Sequence, residues 1–480
     1  NMTDSSHVTN LTMDNSTVNF LPPGNAGNFK TLTVEGNFNG GGTLNMSTKL
    51  GGDNSPTDKL VVEGDTSGET LVAVTNAGGA GATAAGGIEL VEVLGNSAGT
   101  FEKVDRIVAG IYEYDLVKRG KNWYLTNNIV VEPEPGPEPV PADTPPVEPP
   151  APGGGQQYRP EPGIYLANAL VANTLFTTTM HDRLGKAQYT DMLTGQQKST
   201  SLWMRHTGGH TRFKDTSGQL STQSNRYIVQ LGGDVAQWST NGVNRWHLGL
   251  MAGYATSSSH THSNLTGYSS RGQIHGYSAG IYGTWHANDI DKTGAWVDSW
   301  LLYNWFDNDV SGDYLETEKY KSDGITASLE TGYNFRVAGS SDARTSYWLQ
   351  PKVQAIWMNV RADDHTEKNG TRVVDNSEGN LQTRVGVKAY LQSYNKMDEG
   401  KDRSFLPFVE ANWIHNTNQF RLKMDGVSNE ISGTRNYGEL KVGLESQINR
   451  NLHLWGNISQ QIGNNGYSDT QGILGVKYNF

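Results

Sequence analysis

The second half of the chain alternates apolar and polar residues one by one over long stretches. Between Arg245 and Tyr254, the even-numbered residues are all apolar or aromatic, whereas the odd-numbered ones are mostly polar or glycine. A period of two is that of a β-strand whose two faces lie in different environments. About twelve segments of this kind lie near residues 198–210, 224–238, 244–258, 271–286, 294–308, 321–337, 345–361, 379–393, 404–416, 436–449, 451–463 and 470–480.

The connections between these segments alternate in length. Bacterial outer-membrane barrels have short turns on one side and long loops on the other. No run of about 18 apolar residues is present, which excludes a transmembrane α-helix. Residues 198–480 are therefore predicted to form a twelve-stranded antiparallel transmembrane β-barrel, and a soluble β-sandwich is the alternative. The long, polar connections are 211–223, 259–270, 309–320, 362–378 and 417–435, and the short ones are 239–243, 287–293, 338–344, 394–403 and Arg450.

The chain ends on a strand whose last residue is aromatic. Leu474, Val476, Tyr478 and Phe480 share one apolar face of this strand. An exposed terminal edge would invite pairing with other chains, whereas a closed barrel has no edge. We therefore expect the last strand to close the barrel against the strand near Leu202.

Aromatic residues near the strand ends are expected to face lipid. Rings with a polar tip prefer the headgroup level and form two belts around such barrels. Trp296 and Trp300 are the exceptions, because we expect them to pack in part inward. The predicted belt residues are Trp203, Trp246, Trp285, Trp305, Trp357, Trp413, Tyr254, Tyr277 and Tyr303.

Charged residues alternate with the apolar ones and are predicted to face the barrel lumen. Either they pair with one another and with a central helix, which satisfies charges away from lipid, or one carboxylate activates an asparagine and cuts the chain inside the barrel. No single residue stands out for the second role. The predicted lumen charges are Asp298, Glu330, Arg336, Lys352, Arg384, Lys388, Glu410, Glu439, Lys441 and Glu445.

A helix is predicted between Ile164 and Arg183. The segment Gly163–Gly185 has no proline, and this helix would extend about 30 Å, close to the thickness of the hydrocarbon layer. It is too polar to face lipid and suits a narrow polar lumen, the alternative being a surface helix of a soluble domain. We therefore assign residues 158–197 to this pore helix and its lead-in, with Ile164, Asn168, Asn173, Thr177, His181, Asp182 and Arg183 as its candidate lumen residues.

The first 128 residues follow a different pattern. Short β-branched runs recur at Leu32–Gly36, Leu60–Gly64, Leu71–Val74 and Leu90–Val93, separated by glycine-rich turns. Short apolar strands at a repeated spacing predict a parallel β-solenoid, with a β-sandwich as the alternative. An open solenoid end needs a cap, and the less repetitive stretch 101–127 is the candidate.

A spacer rich in proline, glutamate and glycine joins the two regions at residues 129–157. Such a composition predicts an extended, semi-rigid segment. Residues 1–157 carry 8 Lys and Arg against 19 Asp and Glu, so the entire net charge of −11 lies there. An acidic surface repels phosphates, which argues against nucleic acid as a partner.

The sequence contains no signature of catalysis or cofactor binding. With no cysteine, it has no thiolate nucleophile or metal ligand, and the nucleotide, zinc-protease and serine-hydrolase motifs are absent. His206 and His210 share a strand face, and His260 and His262 are better explained by a polar loop than by a metal site. We assign no catalytic, cofactor or metal residue, although a lipase or protease barrel with a catalytic cluster at its rim is an alternative class.

Several segments resemble the monomeric autotransporter family of type V secretion. The first region resembles a pertactin-like autochaperone, and the barrel region resembles the translocator of AIDA-like and IcsA-like proteins. The segments that carry the first resemblance are Leu32–Gly36, Gly51–Leu60, Gly64–Val72, Gly87–Val91 and Ala109–Tyr114. Those that carry the other are Tyr158–Pro162, His181–Arg183, Ser224–Tyr227, Gly276–Gly280, Gln354–Trp357, Asn412–Asn416 and the end at Phe480.

The resemblance implies a barrel in the Gram-negative outer membrane that secretes and displays its own N-terminal passenger. The implied partners are lipid and lipopolysaccharide, periplasmic chaperones, and the barrel-assembly insertase, which would read Gly475, Tyr478 and Phe480. Residues 1–128 would be the end of a right-handed β-helical passenger with its autochaperone, and a longer passenger upstream is expected. An adhesin that binds a host-cell or sister-cell surface is the alternative function.

Overall fold

A computed structural model describes residues 1–24, 27–129, 155–184, 201–341, 344–398, 403–449 and 451–480. Most of the predicted spacer, the lead-in after residue 184 and Arg450 lie outside these ranges. The first region begins with eleven short strands. They are β1 (Ser6–Val8), β2 (Leu11–Thr12), β3 (Thr17–Asn19), β4 (Thr31–Val34), β5 (Phe38–Asn39), β6 (Thr43–Thr48), β7 (Lys59–Val62), β8 (Thr66–Ser67), β9 (Glu69–Asn76), β10 (Ile88–Val93) and β11 (Thr100–Lys103).

These strands coil into a solenoid with three parallel sheets. Their orders are β1-β4-β7-β10, β2-β5-β8 and β3-β6-β9-β11. Leu32 lies beside Leu60, and Leu60 lies beside Val91, so equivalent apolar residues stack along the buried interior. The parallel solenoid predicted from the sequence is thus confirmed, and the β-sandwich alternative is wrong for this region.

Three antiparallel strands cap the solenoid. They are β12 (Ile107–Ala109), β13 (Tyr112–Arg119) and β14 (Asn122–Thr126), and β14 pairs with β10, the last parallel strand of its own sheet. The cap covers an edge that would otherwise expose unpaired backbone groups. It begins later than predicted, because β11 still belongs to a parallel sheet. Beyond it, β15 (Asn128–Ile129) pairs with β16 (Gly155–Gln156).

Twelve strands form a closed antiparallel barrel. Tyr478 of the last strand pairs with Leu202 of the first, so the predicted closure is confirmed. The barrel strands are β17 (Ser201–Lys214), β18 (Leu220–Trp238), β19 (Arg245–Ser263), β20 (Ser269–His286), β21 (Gly294–Gly312), β22 (Glu318–Gly339), β23 (Thr345–Ala362), β26 (Asn380–Ser393), β27 (Ser404–Asn416), β30 (Asn436–Gln447), β31 (Leu452–Gly463) and β32 (Ser468–Asn479).

Several strands are longer than the alternating pattern predicts. The connections expected at 211–223, 259–270 and 309–320 are only 215–219, 264–268 and 313–317. Apolar alternation ends where the outward face leaves lipid, whereas backbone pairing continues into water, so the pattern marks the membrane boundary and not the strand end. Two long connections remain, and they form a separate sheet of β24 (His365–Thr366), β25 (Arg372–Val374), β28 (Arg421–Met424) and β29 (Val427–Glu430).

Outward-facing aromatic rings form two belts. Trp238, Trp246 and Trp285 follow one another at 5.9 Å between ring centroids. Tyr254 and Tyr277 lie in a second belt, eight residues farther along β19 from Trp246, or about 26 Å along the tilted strand. This spacing suits the apolar band of an outer-membrane barrel.

One predicted belt residue is wrong. Trp203 is fully buried inside the barrel, where its indole N–H donates to the Tyr282 hydroxyl at 3.2 Å. Pairing of Leu202 with Tyr478 turns both outward, so the adjacent Trp203 must point inward. Trp296 and Trp300 are also buried inside, as expected.

The lumen holds two helices, α1 (Glu161–Thr174) and α2 (Met180–Leu184). The prediction of one continuous helix over Ile164–Arg183 is wrong, because the chain leaves the helical path at 175–179. Among the residues described, neither helix has the length and apolarity needed to cross a membrane. Two short 3₁₀ turns, Lys396–Asp398 and Asn464–Gly466, complete the regular structure.

The packing at Gly475 generates a stability prediction. A Cβ atom at Gly475 would lie 2.0 Å from the Trp455 ring, whereas one at Gly472 would meet only the Asn457 carbonyl oxygen at 4.0 Å. We expect Gly475→Ala to destabilise the barrel by about 1–3 kcal/mol through overpacking. Gly472→Ala is the matched control. The temperature at which the folded band shifts on a denaturing gel should fall only for Gly475→Ala, and equal temperatures would contradict the prediction.

Candidate functional site

Helix α1 fits tightly against the barrel wall. Nearly all its side chains are buried, and Pro162 near its start is favourable because the first helical turn needs no donor there. A Cβ at Gly163 would lie 2.5 Å from Thr261, and Ile164 occupies the space above Gly272, whose Cβ would lie 2.2 Å from it. Small residues on both surfaces therefore allow the helix to enter the lumen.

The two asparagines of α1 bind the wall through polar contacts. Asn168 donates to the Tyr320 hydroxyl at 3.0 Å. Asn173 donates to the Val360 carbonyl and accepts from the Val360 N–H, both at 2.9 Å. Strand β26 pairs with β23 only as far as Met358, so Asn173 satisfies backbone groups beyond the end of that pairing.

The segment between the helices is held by wall side chains. The Thr178 carbonyl accepts from Trp300 Nε1 at 3.1 Å and from Gln354 Nε2 at 2.9 Å. Thr177 turns its hydroxyl back to the Thr174 carbonyl at 2.8 Å. In a continuous helix these carbonyls would instead accept hydrogen bonds from backbone N–H groups of the next turn. In addition, β-branched threonines are weak helix formers. The break follows from both effects.

Helix α2 carries three polar side chains that reach different parts of the wall. Asp182 accepts from Lys441 Nζ at 2.8 and 2.9 Å. Arg183 pairs with Asp298 and its guanidinium carbon lies 4.2 Å from the Tyr282 ring centroid. His181 Nε2 lies 2.9 Å from Gln350 Oε1, and its Nδ1 lies 3.4 Å from Glu445.

The predicted lumen charges lie inside the barrel with one exception. Arg336 is exposed, because β22 continues past the end of the lumen and the residue falls at a register shift in that extension. The others form buried ion pairs that follow the wall. These pairs are Lys352 with Glu410 at 2.7 Å and Glu330 at 3.7 Å, Arg384 with Glu439 at 2.5 Å, and Lys388 with Glu445.

A small polar cavity remains between the helices and one side of the wall. Thr174, Arg226, Arg384, Glu439 and Asp469 are among its lining residues. Within the residues that the structure covers, no group of three or more His, Asp or Glu side chains is placed to hold a metal ion. His260 and His262 lie on the outward face of β19, where His262 contacts Ser269.

The solenoid cap sits on one mouth of the barrel through a buried charge network. The Arg106 guanidinium donates to Glu113 at 2.6 Å and to Glu161 at 2.8 Å, and it reaches the Asp313 carbonyl at 2.9 Å. Glu161 begins α1 and Asp313 lies in a barrel loop. One side chain thus joins the cap, the pore helix and the barrel rim.

A second contact joins the cap to the sheet formed by the long barrel connections. Arg159 pairs with Glu367 and donates to the Gly110 carbonyl at 2.7 Å. The Gly110 N–H donates to the Thr371 hydroxyl at 3.1 Å. Gly110 has a φ of +56°, and a Cβ there would lie 2.5 Å from the Ala80 carbonyl oxygen. Only glycine fits this turn without strain.

The network holds more acidic than basic groups. Arg106 and Arg159 face Glu113, Glu161 and Glu367, all buried. Burial raises the pKa of Glu113 to about 7, and the negative charge of Glu161 acts in the same direction. Both effects outweigh Arg106, which acts to lower this pKa. Burial acts to lower the pKa of Arg106, but Glu161 and Glu113 outweigh it and hold that pKa above its ordinary value. A proton retained on Glu113 would balance the excess negative charge.

Sequence patterns did not single out this network. Arg159 and Glu161 lie within Tyr158–Pro162, a segment that carries only a resemblance to the family. The available signal was the presence of charges next to or within an apolar run, as with Arg106 before Ile107–Tyr114 and Glu113 inside it. Charged residues are rarely buried unless paired. Arg106 and Glu113 are only seven residues apart, but the other partners in the network lie 55 to more than 200 residues away.

Comparison with known families decides what this arrangement is. Residues 202–459 match the Autotransporter beta-domain family, and residues 6–116 match the Autochaperone Domain Type 1 family. The chain belongs to the autotransporter family. Its barrel is the autotransporter β-domain in the Gram-negative outer membrane, and its passenger region is displayed at the cell surface.

Individual relatives agree with this assignment. The uncharacterized protein YdeU of Escherichia coli K12 is 52% identical over 95% of this chain and 98% of its own length. The autotransporter adhesin AIDA-I of Escherichia coli is 39% identical over 95% of this chain, which spans only 34% of that longer protein. The solved transport unit of AIDA-I covers 68% of this chain and all of its own, with a TM-score of 0.59.

The raised pKa of Glu113 predicts that docking of the autochaperone weakens as pH rises. Stability from its protonated form is present below the ordinary value of 4.5 and is lost as pH rises through about 7. Hydrogen exchange of peptides covering Arg106–Glu113 in the purified chain should therefore show less protection at high pH, after correction for intrinsic rates. Glu113→Gln should flatten this dependence, and an unchanged pH dependence in that variant would contradict the assignment.

Proposed function

We propose that this autotransporter exports its passenger past the barrel and then closes the outer mouth with the autochaperone. The docking of the cap on the rim and on Glu161 of α1 supports this proposal. In this proposal the end of the passenger lies directly above the helix that enters the lumen. The chain needs no nucleotide in this scheme, since folding outside the cell disfavours return through the barrel.

The proposed division of labour follows the sequence. Residues 1–128 would form the last passenger rungs and autochaperone, 129–157 the spacer, 158–197 the pore helix and lead-in, and 198–480 the translocator. Lumen contacts of α1 and α2 would hold the spacer end in place after export. Periplasmic chaperones and the barrel-assembly insertase are the proposed assembly partners, alongside the passenger and the outer membrane.

Transport rather than catalysis is the proposed activity. Asn168 and Asn173 contact a tyrosine hydroxyl and backbone groups, and the carboxylates Glu330, Glu410 and Glu439 lie against cations. This arrangement favours structural pairing over self-cleavage at these asparagines. A chain that migrates intact after membrane insertion would agree with it, and release of the passenger by the purified protein would contradict it.

An adhesive role is the second candidate. The observation that favours it is the similarity over 95% of the chain to AIDA-I, which is named an adhesin. The proposed partner is a host-cell or sister-cell surface, and the acidic region 1–128 is the exposed candidate. Cells that display the full chain should then aggregate or adhere more than cells that display the barrel without residues 1–128.

If the passenger folds outside the cell, a change in the solenoid should impair surface display of the passenger without impairing insertion of the barrel. Strand β7 lies between β4 and β10, so Val61→Pro removes a donor within a central strand. We expect it to reduce surface display at least about threefold while the barrel inserts normally, because proline removes a ladder hydrogen bond and leaves the partner carbonyl unpaired, which costs about 1–3 kcal/mol. Val61→Ala keeps the N–H and is the control. Surface labelling and heat-modifiable migration measure the two steps, and normal display of Val61→Pro would contradict the proposal.

If the insertase recognises the last strand, a change at Phe480 should impair barrel assembly itself, before the passenger folds. Phe480 is exposed and its ring lies 5.0 Å from that of Tyr478, while Gly475 packs beneath Trp455. We expect Phe480→Ala to lower the amount of folded barrel in the membrane, whereas Phe480→Tyr, which keeps the ring, should assemble normally. Pulse-chase with heat-modifiable migration follows assembly, and equal assembly of both variants would contradict this role.

A further inference from the structure

An outward-facing patch of cations lies just beyond one aromatic belt of the barrel. It is defined as the outer cationic patch: His210, Arg212 and Lys214 on β17, His260 and His262 on β19, and Arg271 on β20. On β19, Tyr254 belongs to the belt, and His260 and His262 lie six and eight residues farther along the same face. At His260 the patch thus lies about 20 Å beyond the belt along the tilted strand.

This end of the barrel faces the outside of the cell. Gln219, in the turn between β17 and β18, accepts from the Tyr158 N–H at 3.1 Å, and Ser263 at the end of β19 donates to the Tyr158 carbonyl at 3.1 Å. These contacts lie beside the docked autochaperone, which is displayed at the surface. The patch therefore lies on the outer-leaflet side of the belt.

Strand pairing aligns three residues of the patch, Arg212, His260 and Arg271, in one row. Arg212 pairs with Gln223, Gln223 with His260, and His260 with Arg271. Neighbouring strands lie about 4.8 Å apart, so the two arginines are separated by about 14 Å across four strands. One flanking row holds His210, and the other holds Lys214 and His262. The other outward residues of these rows are amides and hydroxyls, and none of the four strands adds a carboxylate to the patch.

The cations of the patch have no carboxylate partner among the residues described. Arg212 donates its Nε to His210 Nε2 at 2.9 Å, which leaves its terminal nitrogens for another ligand. On the next two strands Asp307 pairs with Lys321 and Asp309 with Lys319, so the signs of charge are mixed there. The purely basic surface is thus confined to β17–β20.

We propose that the outer cationic patch binds the phosphorylated headgroup of lipopolysaccharide. Arginine and lysine bind phosphate by charge-assisted hydrogen bonds, and the intervening amides and hydroxyls match sugar hydroxyls. The headgroup level supplies this anion directly above the acyl chains that the belt contacts. A second copy of the chain is disfavoured as occupant because two such patches repel each other.

The site also lies beside the seam of the barrel. Strand β17 pairs with β32, and Arg212 and His210 lie opposite Ser468 and Thr470. A headgroup bound across β17–β20 would brace the first strand at its outer end, where the inward Arg226 reaches Asp469 across the same seam. Binding should therefore stabilise the closed barrel, which gives the proposal a readout independent of passenger display.

The test uses the full chain purified in detergent and three ligands. Lipopolysaccharide should raise the temperature of the heat-modifiable transition, dephosphorylated lipopolysaccharide should raise it less, and inorganic phosphate at equal phosphate concentration should have no effect. Native mass spectrometry gives the bound number and affinity. Equal effects of the first two ligands would overturn the role of the phosphates, and an equal effect of inorganic phosphate would overturn the assignment to lipid.

Matched variants locate the site. The triple change Arg212→Gln, Lys214→Gln and Arg271→Gln should weaken binding at least about tenfold, since several charge-assisted contacts are lost. The control Lys319→Gln, Lys321→Gln and Arg361→Gln removes the same charge from the outward face of β22 and β23. All six side chains are exposed, and folding of each variant is verified by its transition without ligand. Equal binding by both variants, or a changed oligomeric state only in the first, would overturn the proposal.

Discussion

Closure of the barrel is the constraint on which the rest of this structure depends. In a bilayer every backbone donor and acceptor must find a partner within the protein, which a sheet achieves only when its first and last strands meet. Here β32 pairs with β17 along twelve residue pairs, from Ser201 with Asn479 to Arg212 with Ser468. Once this register is set, alternation decides which side chain faces lipid and which faces the lumen, and a shift of one residue would reverse every choice.

The polar groups on the inward face must then find partners within the protein, because water does not surround them. Ion pairs such as Lys352 with Glu410 cover part of the wall, and Asp182 and Arg183 of α2 complete others. Removing one partner of a buried pair is more costly than the pair is worth, because it leaves an uncompensated charge. The helices are thus part of the barrel interior as much as a remnant of the exported chain.

The same logic operates at the outer mouth. Arg106 belongs to the passenger region, Glu161 to the pore helix and Asp313 to the barrel rim, yet they share one buried network. Export and folding therefore end in a contact that neither region forms alone. A displayed passenger held in this way has a defined position above the membrane. Gly110 makes a second contact, with the sheet formed by the long barrel connections.

The sequence by itself determined the solenoid, the twelve strands, the closure between Leu202 and Tyr478, and the family, because these follow from local periodicity and segment resemblance. It misplaced Trp203 and Arg336, joined α1 to α2, and made three outer connections too long. Those errors share a cause: facing direction, lumen length and helix continuity depend on pairing partners far along the chain, as with Trp300 and Gln354 at the Thr178 carbonyl. Only the tertiary structure brought Arg106, Glu113 and Glu161 together, since burial and charge pairing are properties of neighbours in space.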